Sequence, residues 1–100
     1  NPESQFQWYD LNDLWSDLEL VQQAQLPLTM LATEPIQTKT IQQRFFPACQ
    51  IGAAAGGTVR YDVHTGHASV WGATGHYIRS QTQMLERMER FIATESSRIA

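Results

Sequence analysis

The sequence predicts an α/β fold, specifically a small α+β lobe of short strands with two to three main helices, and three observations carry that expectation. Leu11, Leu14, Trp15, Leu18 and Val21 recur at helical spacing behind Asp10, and Met84, Leu85, Met88, Phe91 and Ile92 recur likewise behind Ser80. Between them lies Leu28-Thr29-Met30-Leu31-Ala32-Thr33-Glu34-Pro35, an apolar run too brief for a stable helix and closed by a proline that disfavours helical backbone just before it. That run reads as a short buried strand feeding a turn, with a helix on either side.

In chain order, Phe6-Gln7-Trp8-Tyr9 is aromatic and alternating, the composition of a strand, and Asp10 ends it. Asp10 fits the N-cap of the first helix, because its carboxylate can accept from the amides that a helix start leaves unpaired. That helix fades near Gln22 to Gln25, before Pro27. After the Leu28 to Ala32 strand and Pro35, Thr38 is placed to cap a short helix carrying Ile41 and Phe45 on one face, which Pro47 ends. Gln50 to Gly57 reads as a loop, and since no lysine follows its glycines it lacks the phosphate-cradling pattern. Thr58 to Val63 alternates as a strand, and Thr65 to Gly72 suits one helical turn closed by glycine. Ser80 with Gln83 forms a capping box ahead of the last helix, whose residues 96–100 are expected to fray.

One hundred residues is a single-domain length, and the 17% of charged residues falls below the usual quarter, so part of the surface is expected to lie against something else. Charge is divided along the chain. Residues 1–34 hold Glu3, Asp10, Asp13, Asp17, Glu19 and Glu34 with no Lys or Arg, while all seven basic residues follow, so the two parts should attract. A pI near 5.5 without a basic stripe argues against nucleic acid as a partner. No apolar run reaches membrane-spanning length and the first residues show no leader, which leads to the expectation of a soluble cytoplasmic chain without a membrane partner. The lone Cys49 excludes an internal disulfide and reads as a small core residue.

Three groupings invite chemical readings. His64, His67 and His76 could be taken as a metal cluster, but Gly66 separates the first two and no fourth ligand completes a site, so no metal is expected and structural or ligand-contacting histidines are favoured. Asp62 with Glu34 offers an acid/base pair near strand ends, but carboxylates in such places are ordinarily caps and solvated surface. No nucleophile elbow is present, and no catalytic residue is assigned. Trp71 beside Gly72 either closes the core or lines a pocket.

The strand ending in aspartate (Phe6 to Asp10), the amphipathic helix, the Leu28 to Ala32 strand, the Glu34-Pro35 turn and the Thr-led helix resemble the C-terminal part of extended short-chain dehydrogenases. This is the NAD-dependent epimerase/dehydratase family. The run Tyr61-Asp62-Val63-His64-Thr65-Gly66-His67-Ala68 through Trp71-Gly72, then Tyr77-Ile78 and the Ser80 helix, resembles that family's closing segment. The resemblance spans nearly all 100 residues and is one of order and spacing. The family's Gly-rich cofactor turn is absent, as is its catalytic Tyr-x-x-x-Lys, since Tyr9, Tyr61 and Tyr77 are followed four residues on by Asp13, Thr65 and Gln81.

The resemblance therefore implies a substrate-binding lobe of a sugar-nucleotide epimerase, dehydratase or reductase, inactive alone and lacking its Rossmann domain. That missing N-terminal domain would be its partner. NAD or NADP is implied for the parent enzyme, and no cofactor is expected on this part. It also implies Arg60, His64, His67 and Glu34 as contacts to a nucleotide-sugar substrate, with Asp10 and Ser80 as structural caps. A homo-oligomer is expected because an uncovered apolar interface seeks cover. The alternative is a stand-alone α/β protein-interaction module without enzymatic activity.

Overall fold

The computed structural model describes residues 2–48 and 58–99, and the expected loop at 50–57 and Cys49 lie outside them. Its mixed α/β architecture agrees with a small α+β lobe: three α-helices and, among the described residues, one two-stranded sheet. Strand β1 is Gln5–Phe6 and β2 is Ile36–Gln37, antiparallel with Gln5 opposite Gln37 and Phe6 opposite Ile36. Helices α1, α2 and α3 run Leu14–Gln23, Thr38–Phe45 and Gln81–Ile99.

Of the strands expected from composition, Phe6 to Tyr9 gives way to the two-residue β1 and Thr58 to Val63 to a single bridge at Arg60. Residues 59–61 run beside β1, where Gln5 N–H donates to the Val59 carbonyl at 2.9 Å and Tyr61 N–H to the Gln5 carbonyl at 3.1 Å. Val59, Tyr61 and Val63 alternate as expected yet all remain exposed, because no layer covers the side they share. The expected buried strand at Leu28 to Ala32 does not form. Leu28 is 78% exposed and Met30 51%, and pairing begins only at Ala32, whose carbonyl accepts from Ile78 N–H at 2.8 Å. Thr33 and Glu34 continue it beside Arg79, so the ladder occupies the exit toward Pro35 rather than the apolar run. A ladder needs a facing backbone, and residues 78–79 supply one only here.

The first helical segment also differs. Asp10 caps as expected, its Oδ1 accepting from Asn12 N–H at 2.9 Å, but it opens a 3-10 turn over Leu11–Asp13 that leads into α1. Thr38 begins α2 without capping it and donates its hydroxyl to the Ser4 carbonyl at 3.1 Å. A 3-10 turn at Ala68–Trp71 closes on Gly72 at φ +73°, a left-handed conformation that glycine adopts without a Cβ clash. The Ser80 capping box is complete: Gln83 N–H donates to Ser80 Oγ at 3.2 Å and Ser80 N–H to Gln83 Oε1 at 2.8 Å. Behind it α3 runs through Ile99.

The core sits where α3 crosses β2. Ile36, Met84 and Leu85 are buried together, with Ile41, Phe45 and Met88 packed around them. This core is small, and α1 contributes no apolar residue to it. Leu11, Leu14, Trp15 and Leu18 are all exposed, and the one buried residue of α1 is Asp17. The helix has turned its charged side inward.

Candidate functional site

Two arrangements organise the molecule's polar and apolar surfaces. The first is an ion cluster built around the inward side of α1. Arg79, two residues before α3, forms a two-pronged pair with Asp17 through Nη1 at 2.9 Å and Nη2 at 2.6 Å. Trp71 Nε1 donates to Asp17 Oδ1 at 2.8 Å, and the Tyr9 hydroxyl donates to Oδ2. Four donors thus converge on one carboxylate. Arg87 Nε bonds Asp13 Oδ2 at 2.5 Å, one turn earlier on the same side, with Arg79 Nε 3.7 Å from that oxygen. The attraction expected between the acidic first third and the basic remainder is realised here, and Trp71 closes this interior rather than lining the open groove.

Burial by itself would push the Asp17 carboxyl up, but hydrogen bonds from Arg79, Tyr9 and Trp71 outweigh it and hold the group below the ordinary carboxylate range. Burial likewise works against charge on Arg79, and the bonds to Asp17 again prevail, raising it. Tyr9 is raised by burial and by its bond to Asp17. With its acceptor directions filled, Asp17 is a clamp and not a base. The native chain keeps Asp17 ionised to lower pH than the unfolded chain does, so this stabilisation is fully present above the unfolded value of about 3.9 and is lost as pH falls through the depressed native value. Urea midpoints measured from about pH 6 down to about pH 2 should fall steeply, and Asp17→Asn should show a shallower slope over that window. Equal slopes would remove Asp17 from the acid response.

The second arrangement is an open groove of about 570 Å³ between the Trp8–Asn12 segment, α2 and α3, with Phe45, Phe46, Met84, Met88, Phe91 and Ile92 on its helical walls. Arg87 and Asp10 stand on its lining. A second, polar cleft shares Arg87 with it and is lined also by Asp13, Arg90 and Glu95. A groove of this size and character accepts an apolar body, whether a ligand or a protein segment.

The residues singled out as substrate contacts occupy separate settings. Arg60 is exposed and its backbone lies across from Gln5. His67 precedes the 3-10 turn, and its N–H donates to Thr65 Oγ1 at 3.2 Å. Glu34 is engaged in fold-building: its Oε1 accepts Gln81 N–H at 2.6 Å at the start of α3. His64 stacks on His76 with ring centroids 4.3 Å apart and planes 9° from parallel, and its Nε2 lies 3.3 Å from Asp62 Oδ1. Tyr77 donates its hydroxyl to the same oxygen. That bond lowers Asp62, with His64 and His76 adding to the effect, and pushes Tyr77 up to about 12.

The structure therefore joins His64 to His76, Asp62 and Tyr77, and brings neither Arg60 nor His67 into that ring stack. Asp62 and Glu34 do not form an acid/base dyad: one carboxylate serves the stack and the other the helix start. Among the described residues no group of three or more His, Cys, Asp or Glu is arranged to hold a metal ion, and no helix is long and apolar enough to cross a membrane.

The Asp17–Arg79 clamp escaped sequence reasoning because Asp17 sits on a helix whose apolar stripe draws attention to the opposite side. Its traces are the acidic run in α1 and the absence of any cation before Lys39. The α2 and α3 stripes that wall the groove were periodic in the sequence, but their meeting with the Trp8–Asn12 segment was not, since the walls come from three separate segments. Comparison with protein-family models, with curated proteins and with solved structures finds no match to this chain.

Proposed function

We propose that this chain is the substrate-binding lobe of an NAD(P)-dependent sugar-nucleotide epimerase, dehydratase or reductase, inactive alone, with its apolar face lying against a dinucleotide-binding Rossmann domain. The ground for the family is the sequence pattern around Asp10, the amphipathic helix behind it and the Thr-led helix, one member of which, the Leu28 to Ala32 strand, does not form. One observation carries the idea of a lobe: the molecule exposes more surface than its mass accounts for. Its accessible area is 6970 Å². A monomer of 11.4 kDa is expected to expose about 5,800 Å². The excess of about 1,200 Å² exceeds the roughly 800 Å² that one partner contributes to a standard interface. The shape agrees, being a slab of 45 × 37 × 19 Å with a radius of gyration of 15.5 Å, against about 13 Å for a globule of this length.

Apolar side chains are exposed along the 3-10 turn and the outer side of α1, where Leu11 is 76% and Trp15 73% exposed. Under this reading the nucleotide and catalytic groups belong to the partner domain, and Arg60, His64 and His67 reach substrate from the 58–67 segment, where Arg60 and His64 are exposed. The sequence encoded upstream of Asn1 in the same reading frame is the direct test. A Gly-rich strand-helix unit and a Tyr-x-x-x-Lys are expected there, and their absence would end the enzyme reading in favour of the interaction module.

At the bench, the isolated chain should show no heat of binding with NADH in titration calorimetry, since this lobe supplies no dinucleotide site. Tight binding would mean that the cofactor site has been misplaced. In sedimentation at high concentration the chain should self-associate, and Trp15→Glu should weaken association by at least about tenfold, because a charge at the middle of a buried apolar patch is costly. Strictly monomeric behaviour of the parent chain would count against an uncovered interface.

A further inference from the structure

The stacked histidines, of which His64 is also one of the proposed substrate contacts, carry an inference that holds with or without that reading. Two imidazoles face one another at 4.3 Å with nearly parallel planes, joining segment 62–65 to segment 76–77. The same junction is closed by one backbone bond, Thr65 N–H to the His76 carbonyl at 2.8 Å. We propose that the His64–His76 stack is an acid-released latch, closed while at most one ring carries a proton and opened when both do.

The chemistry of each state follows from the neighbours. Neutral rings stack through their faces, and a cation over an aromatic face is attracted to it, with Asp62 3.3 Å from His64 Nε2. A second proton places two like charges one ring-stack apart, with one carboxylate, Asp62, beside His64. The titratable groups facing the pair are Asp62 and Tyr77, with Glu34 beyond the tyrosine. Tyr77 stays protonated across the range in which histidines titrate, because its bond to Asp62 pushes it up, and Glu34 is occupied at Gln81 N–H. Neither supplies a compensating anion at the rings. His64 is 46% exposed, so protons reach the stack from solvent without any prior unfolding.

Opening would free the end of the 58–67 segment while leaving the Asp17–Arg79 clamp closed, since Asp17 is ionised throughout that pH range. The test is amide exchange by NMR on the full chain, with protection factors corrected for intrinsic pH dependence, between about pH 8 and about pH 5, the range in which histidine charges. Protection of the Thr65 amide should fall at least tenfold on acidification, whereas the Met84 amide, bonded to the Ser80 carbonyl at 3.0 Å, should hold. His76→Phe keeps a flat ring without the charge and should hold Thr65 protection within about twofold over the same range. His64→Phe provides the same comparison from the other ring should the first variant fail to fold. Unchanged Thr65 protection in the parent chain, equal loss in the phenylalanine variants, or parallel loss at Met84 would each overturn the latch.

Discussion

Replacing Asp17 with alanine is expected to destabilise the chain by about 3 to 5 kcal/mol, the cost of leaving one member of a buried ion pair without its partner. The Asp17 side chain is 1% exposed and that of Arg79 10%, so the arginine left behind would keep its charge in a nearly closed site with only Asp13, 3.7 Å from its Nε, to offset it. Tyr9 and Trp71 would lose their acceptor as well. A native domain holds only about 5 to 15 kcal/mol in all, so urea unfolding should show a variant close to the margin of folding. The paired change Asp17→Leu with Arg79→Met should recover most of the loss, because removing both charges removes the unmet desolvation cost. If the single and the paired variants were equally unstable, packing around α1 and not charge pairing would be the source of the effect.

The second large effect belongs to the small core. Met84 is 2% exposed and lies with Ile36 and Leu85 at the crossing of α3 and β2, so Met84→Ala should cost about 2 to 5 kcal/mol through lost transfer energy and the cavity left behind. The matched control is Trp15→Ala, a larger truncation at a side chain 73% exposed, expected within about 0.5 kcal/mol. Chemical denaturation of both variants decides the matter. A larger loss at Trp15 than at Met84 would mean that the apolar side of α1 is covered in the isolated chain, contrary to the structure.

That contrast also shows how far the sequence could be read. The last helix, its Ser80–Gln83 capping box and its buried Met84 and Leu85 were all legible, because capping and helical periodicity are local and agreed with the tertiary outcome. Gly72 as the end of a short turn was legible for the same reason. The α1 stripe was legible as a helix and misleading as a core face. Periodicity reports which residues share a side, and only the rest of the fold decides whether that side is covered. Here the clamp on Asp17 takes the inner side, and Leu11, Leu14, Trp15 and Leu18 are left outward.

The Leu28 to Ala32 run failed as a strand through a comparable non-local cause, the lack of a facing backbone before Ala32. Of the proposed substrate contacts, Glu34 accepts the Gln81 amide at the start of α3, a partner 47 residues away that no local spacing marks. The His64–His76 stack depends on two segments separated by the Ala68–Trp71 turn, and no spacing rule marks ring planes as parallel.

The Asp17–Arg79 pair joins residues 62 apart, the Ser4 hydroxyl accepts the Val59 amide across 55 residues, and Arg87 meets Asp13 across 74. Such closures make the chain one of high contact order in spite of its helices. Each requires a long loop to be drawn shut before any bond is gained, and the entropy of that closure grows with the logarithm of loop length. Helix α3 can form early from its own local signals, while α1, whose apolar side gains nothing by folding inward, must wait for Arg79. The clamp therefore ties the N-terminal helix to the C-terminal half of the chain through a long-range closure.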